Sequence, residues 1–153
     1  NKGDIMKKFH FNLQKLLDYK ETLKNNEKNA LAMLQAKKAE IEGRIVSLEN
    51  QIRETQEQMR SKAVRGTTIN EIRGQAFKIE QAKSEIKMLA LELESLELKI
   101  QKQLEVVVKL SQETAELEKI KEKKWEEYLE EIRKADELII SEYLSSKLAR
   151  QAI

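Results

Sequence analysis

Counted from Leu13 in alternating steps of four and three, the chain presents a line of fourteen positions ending at Met59. Nine are apolar: Leu13, Leu17, Leu31, Leu34, Ile41, Ile45, Leu48, Ile52 and Met59. Lys20, Lys24 and Glu27 interrupt the line near its start, where Leu16, Leu23 and Ala30 widen the stripe instead. A second line of fourteen runs from Ile72 to Leu117 with eleven apolar members, among them Ile79, Ala82, Ile86, Leu89, Leu93, Leu96, Ile100, Val107 and Leu110. A repeat of about 3.5 residues is shorter than that of a straight α-helix, so such a seam stays on its partner only if the two helices supercoil left-handedly. Two seams in one chain predict an all-α fold, a long antiparallel two-stranded coiled-coil hairpin.

The break between the lines falls at Val64-Arg65-Gly66-Thr67-Thr68. Gly66 can take the positive φ of a helix C-cap, and Thr68-Ile69-Asn70-Glu71 fits a capping box, in which Thr and Glu each satisfy an orphan amide of the other. At the other end Asn12 is placed as an N-cap, with Phe11 and Leu16 as a hydrophobic staple across it. The expected organisation is a single coiled-coil domain over 6–153, with helix 1 at about 12–63, a turn at about 64–68 and helix 2 at about 69–148. Folding back at Gly66 sets Ile52 against Ile79 or Glu80, and Ile41 against Ala90. A long parallel dimer with a bent linker is the competing arrangement; the quality of the turn and the matched lengths of the two lines favour the hairpin.

Helix 2 is the longer, extending over roughly 120 Å at 1.5 Å per residue, so its last 30 or so residues overhang helix 1. The spacing Leu117, Lys121, Trp125 is a stutter that locally unwinds a supercoil. Beyond it Trp125, Tyr128, Leu129, Ile132, Ile139 and Tyr143 share one face of the overhanging C-terminal helix. An amphipathic helix carrying three aromatics needs something to bury against. Two readings stand open: the overhang folds onto Phe9, Phe11, Leu16 and Leu23, or it docks into a partner protein, for which Trp and Tyr are favoured anchors. Gly43 and Gly74, inside the expected helices, each cost about 1 kcal/mol relative to alanine and read as tolerated or as close backbone approaches rather than as hinges.

Composition narrows the function classes. The chain of 153 residues is 40% hydrophobic, 37% charged and only 5% aromatic, with four glycines, no proline and no cysteine. That leaves too few turn residues for a compact fold of many elements, and it matches a coiled coil. Without cysteine there is no thiolate zinc site and no cysteine nucleophile, and the single His10 cannot make a multi-histidine metal site. No phosphate loop, GxSxG elbow or HExxH is present, so neither an enzyme nor a cofactor is expected. Residues 1–38 carry nine basic and four acidic side chains, residues 67–120 eight and ten, a complementarity suited to pairing the two helices. The overall net charge of +2, with no basic block interleaved with aromatics, argues against nucleic acid as a partner. No apolar run approaches the roughly 20 residues of a membrane span, and no signal peptide is visible, so no membrane insertion and a cytosolic location are expected. Asn1 to Ile5, ahead of Met6, read as a leftover of an expression vector.

From Met6 the run Met-Lys-Lys-Phe9-His-Phe11-Asn-Leu13-Gln-Lys-Leu16-Leu17-Asp-Tyr19-Lys-Glu resembles the N-terminus of the flagellar export protein FliJ family, in which an F-x-F/L-x-L-x-x-L-L-like opening leads into a long helix. The likeness continues through the glycine-containing turn and the acidic region from Trp125-Glu-Glu-Tyr128 to Ala135-Asp136-Glu137-Leu138. The resemblance implies a part of the flagellar type III export apparatus, serving flagellum biogenesis and hence motility and chemotaxis, and shaped like the two-stranded stalk of a rotary ATPase. Its implied partners are the hexameric export ATPase, whose ring assembly it promotes, the cytoplasmic domain of the export gate, and export chaperones in an escort role. It further implies a monomer in isolation, peripheral association with the inner membrane at the flagellar base, and no cofactor. The candidate partner-binding residues are Phe9, Phe11, Leu13 and Leu16 at the start, with Trp125, Tyr128, Ile132, Ile139 and Tyr143 on the overhang. The polar stretch Lys20 to Asn29 departs from a firm stalk. A purely structural spacer, or the stalk subunit of another rotary ATPase, is the rival reading of the same helices.

Overall fold

The computed structural model describes residues 8–152, so the expectation for Asn1 to Ile5 lies outside the described residues. Two α-helices make up the fold, α1 at Gln14–Arg65 and α2 at Ile69–Gln151, and among the described residues there is no strand. They pack on each other as an all-α helical hairpin. The chain divides into two compact units, one built from residues 25–108 and containing the turn, the other from residues 8–24 and 109–152.

In the turn-bearing unit α1 stops because Gly66 adopts φ +98°, a left-handed conformation that costs a residue without Cβ nothing. Lys62 and Arg65 fill its last turn, where cations meet the negative end of the helix dipole. The next helix opens at Thr68, whose carbonyl accepts from the Ile72 amide and whose hydroxyl accepts from the Glu71 amide at 3.2 Å. That is one arm of the expected capping box. The other is replaced, since the Glu71 carboxylate takes the Thr67 hydroxyl at 2.8 Å.

The seam of this unit buries Ile41, Leu48, Ala82, Leu96 and Val107, and Leu48 is only 2% exposed. Cross-helix ties fix the antiparallel sense. Arg44 grips both oxygens of Glu85 at 3.1 and 3.3 Å, Lys37 reaches Glu92 at 3.8 Å, and Lys38 bridges to Glu97 at 3.7 Å. Gln103 donates to the Glu27 main-chain oxygen at 3.0 Å and also to the Glu27 carboxylate. Ile52 and Ile79 line one groove, as the fold-back at Gly66 requires. At the level where Ala90 is expected to face Ile41, Leu89 is half-buried and Ala90 exposed.

In the second unit Phe11 and Leu17 are buried together with Thr114, whose hydroxyl donates to the Leu110 carbonyl at 2.7 Å and so brings no unpaired polar group into the seam. The N-cap lies one residue later than Asn12: the first α-helical bond runs from the Leu17 amide to Leu13, after a tighter bond from Gln14 to Phe11. With the cap displaced, Leu17 becomes the buried residue of the first turn and Leu16 stays exposed.

A Cβ added at Gly43 or Gly74 would meet nothing within 4 Å, so neither glycine serves a close backbone approach. Gly43→Ala is therefore expected to raise stability by about 0.5–1 kcal/mol in denaturant unfolding followed by circular dichroism. Leu48→Ala, by contrast, removes a fully enclosed side chain and should cost about 2–5 kcal/mol in the same measurement.

Candidate docking surfaces

The second unit carries the aromatic side chains that the sequence singles out. Trp125 and Tyr128 lie one turn apart on α2, which aims both rings in one direction, and Phe9, just ahead of α1, packs on them. The Phe9 ring meets Trp125 edge-on, with centroids 5.0 Å apart and planes at 77°, and meets Tyr128 at 5.4 Å. Trp125 and Tyr128 stack at 5.6 Å. Edge-on and offset arrangements suit the quadrupoles of such rings and add to what burial contributes. Phe9 and Tyr128 are half-buried, while Trp125 keeps 43% of its surface.

Two grooves flank the trio. One, of about 540 Å³, runs between Phe9 and Trp125 over Leu17, with Glu21 and Lys121 on its walls. The other, of about 680 Å³, lies between Phe9 and Tyr128 and extends along Ile132 and Ala135, with His10 and Lys124 at its edge. Of the remaining sequence candidates, Phe11 is in the core, Ile132 is half-buried, and Leu13 and Leu16 are exposed beside the start of α1. Ile139 and Tyr143 are exposed as well.

The overhang thus resolves into two parts. Up to about Ala135 its apolar face is occupied from within the chain. Past that point Ile140, Tyr143, Leu144 and Leu148 stand more than half exposed, an apolar arc with no cover among the described residues. One heptad before that arc, on the same side of the helix, Arg133 clamps Glu130 and Glu137. Its hydrogen bond holds the Glu130 carboxyl below the usual carboxylate range, and the two acids raise the guanidinium further above its own. This ladder keeps the helix regular where no partner helix supports it.

The polar interruption that the sequence shows at Lys20 is resolved by a cross-helix pair. Lys20 donates to Glu113 at 2.7 Å, and that bond holds the Glu113 carboxyl below its usual range. Among the described residues no group of acids, histidines or cysteines is arranged to hold a metal ion, and no helix is long and apolar enough to cross a membrane.

The turn-bearing unit has an apolar surface that the heptad reading passed over. Phe77, Met88, Leu91 and Leu98 are each more than 60% exposed on α2. They stand two positions along from seam residues, roughly 200° round the helix and so on its outer side. The signal was present as an absence of charge, which a search for apolar periodicity does not register.

Because a depressed carboxyl pKa stabilises the fold only while the group is ionised, the Lys20–Glu113 contribution should be complete above about pH 4.5 and fade as the pH falls below it. The melting temperatures of wild type and Glu113→Gln, separate at pH 7, are expected to converge by about pH 3.

A family model described as flagellar FliJ protein matches residues 9–152. No curated protein and no solved structure matches the chain.

Proposed function

The chain belongs to the flagellar FliJ family, and from that premise we propose that it is the stalk-like adaptor of a flagellar type III export ATPase. The family is a non-catalytic one of the flagellar export apparatus. The adaptor binds the hexameric ATPase through the unit that carries Phe9, Trp125 and Tyr128, promotes assembly of the ring, and couples it to the cytoplasmic domain of the export gate along the shaft. It works on the cytoplasmic side of the inner membrane, held there by its partners, and passes export chaperones toward the gate.

One observation carries the reading. Beside the aromatic trio the last turns of α2 leave Ile140, Tyr143, Leu144 and Leu148 open to solvent, a surface that would favour association over exposure. Aromatic anchors set among aliphatic neighbours are what protein interfaces select for, whereas a plain spacer gains nothing from them. The mixed charges of the same helix, with Lys124–Glu127 and Arg133–Glu137 pairs, keep it soluble until the partner arrives.

The test is ATP hydrolysis and ring formation by the export ATPase of the same organism as this chain is titrated in. Wild type is expected to raise both. A Tyr143→Ala, Leu144→Ala variant alters only exposed side chains and should weaken the half-maximal concentration by roughly tenfold, the scale of losing one interface anchor, with helical content unchanged. Trp125→Ala, Tyr128→Ala should do at least as much. If folded wild-type protein leaves hydrolysis and ring formation untouched, the spacer reading replaces the adaptor.

A further inference from the structure

Along the outer side of α2 in the turn-bearing unit, nine successive positions at alternating three and four spacing carry no charge: Asn70, Gly74, Phe77, Gln81, Ser84, Met88, Leu91, Ser95 and Leu98. In a chain that is 37% charged, a solvent-facing line of that length is unexpected. Its margins are not neutral. Arg73, Glu80, Lys87 and Glu94 alternate in sign along one side, and Glu71, Lys78, Glu85 and Glu92 occupy the other. Uncharged positions on a heptad flanked by charges of both signs are what a coiled-coil seam presents to a second helix.

We infer that this stripe is a second, weaker seam, occupied by the same stripe of a second copy of the chain running antiparallel. Charge selects the register. With Gln81 opposite Ser84 of the second copy, Phe77 lies opposite its Met88 and Gly74 opposite its Leu91. In that alignment Arg73 faces Glu94 of the second copy, Glu80 faces its Lys87, and Lys78 faces its Glu85. The two-fold axis repeats each of these opposite-sign pairs. Glu71 and Glu92 make the single like-charged pair, and both already have partners in their own chain, Thr67 and Lys37. Sliding one copy by a heptad in one direction sets Lys87 against Lys87, Glu85 against Glu85 and Glu80 against Glu94. Sliding it the other way sets Lys78 against Lys78, Glu80 against Glu80, Arg73 against Lys87 and Glu71 against Glu85.

Side-chain shape agrees with this alignment. The space over Gly74 is open, since a Cβ there would meet nothing within 4 Å, and a leucine from outside can occupy it. Phe77 and Met88, 62% and 70% exposed, would form a thioether–aromatic contact. The interface is the same patch on both copies, so it closes as a dimer and does not grow into a filament. Gln81, Ser84 and Ser95 dilute its apolar content, which makes the dimer a concentration-dependent one beside the monomer that the sequence leads one to expect.

Because the chain has no cysteine, single thiols report the register directly. A tagged Gln81→Cys chain mixed with an untagged Ser84→Cys chain under a thiol–disulfide buffer should give the mixed disulfide at least tenfold over the Ser84→Cys with Met88→Cys pair, which reports the neighbouring heptad. In sedimentation equilibrium the wild type should form dimers at high concentration. Leu91→Lys should raise the dissociation constant tenfold or more with an unchanged circular dichroism spectrum. Equal cross-linking of the two pairs, or a dissociation constant that Leu91→Lys leaves alone, would overturn the register or the surface. A chain that stays monomeric at every concentration, while the gate's cytoplasmic domain alone shields the Ser84→Cys thiol from alkylation, would give the stripe to the gate and end the proposal.

Discussion

Everything in this hairpin depends on one geometric condition: two helices of slightly different natural period from their hydrophobic repeat must keep the same faces together over a long distance. The condition is met position by position. On the α1 line every member from Leu17 to Met59 is at least half-buried, and on the α2 line every member from Gln75 to Leu117 is too. A two-helix seam has no third layer to bury its shoulders, so few residues are fully enclosed and each layer contributes only part of what a globular core would, at about 25 cal/mol per Å². Length supplies the rest. The same thinness leaves much of both helices facing water, which is why such a fold can offer several independent surfaces at once.

The seam tolerates polar members because each finds a partner across or along it. Lys20 has Glu113, Glu27 has Gln103, and Thr114 turns its hydroxyl back to Leu110. A period count marks these positions as interruptions, yet the backbone repeat carries them into the interface regardless of their chemistry. Sequence pattern was therefore reliable for which positions face the partner and less so for what they do there. The turn was legible for a similar reason: Gly66 and Thr68 are each tied to one backbone requirement.

Other features were beyond its reach. The N-cap moved from Asn12 to Leu13 because burial of Phe11 and Leu17 outweighs the preference of one side chain for a cap. The packing of Phe9 on Trp125 and Tyr128 was one of two open alternatives that periodicity could not decide between, since Phe9 lies outside the helix and more than a hundred residues separate it from Trp125 in sequence. Of the two open alternatives for the overhang, folding back holds for Trp125 and Tyr128, which pack on Phe9, while the turns past Ala135 carry exposed apolar side chains. The uncharged outer stripe was missed because Gln and Ser fill it as often as Leu, so only its lack of charge distinguishes it.

The left-handed Gly66 also orders events in time. Arg44 and Glu85 are 41 residues apart in sequence, whereas Lys20 and Glu113 are 93 apart. The entropy of closing a loop grows with its length, though slowly, so contacts near the turn are the cheapest to make first, and each one shortens the loop left for the next. On loop entropy alone, closure favours a zipper from Gly66, with Phe9 and Trp125 meeting late. By the same sequence in reverse, those rings separate early when the protein loosens, and the contacts Phe9 makes are those the chain can most readily release.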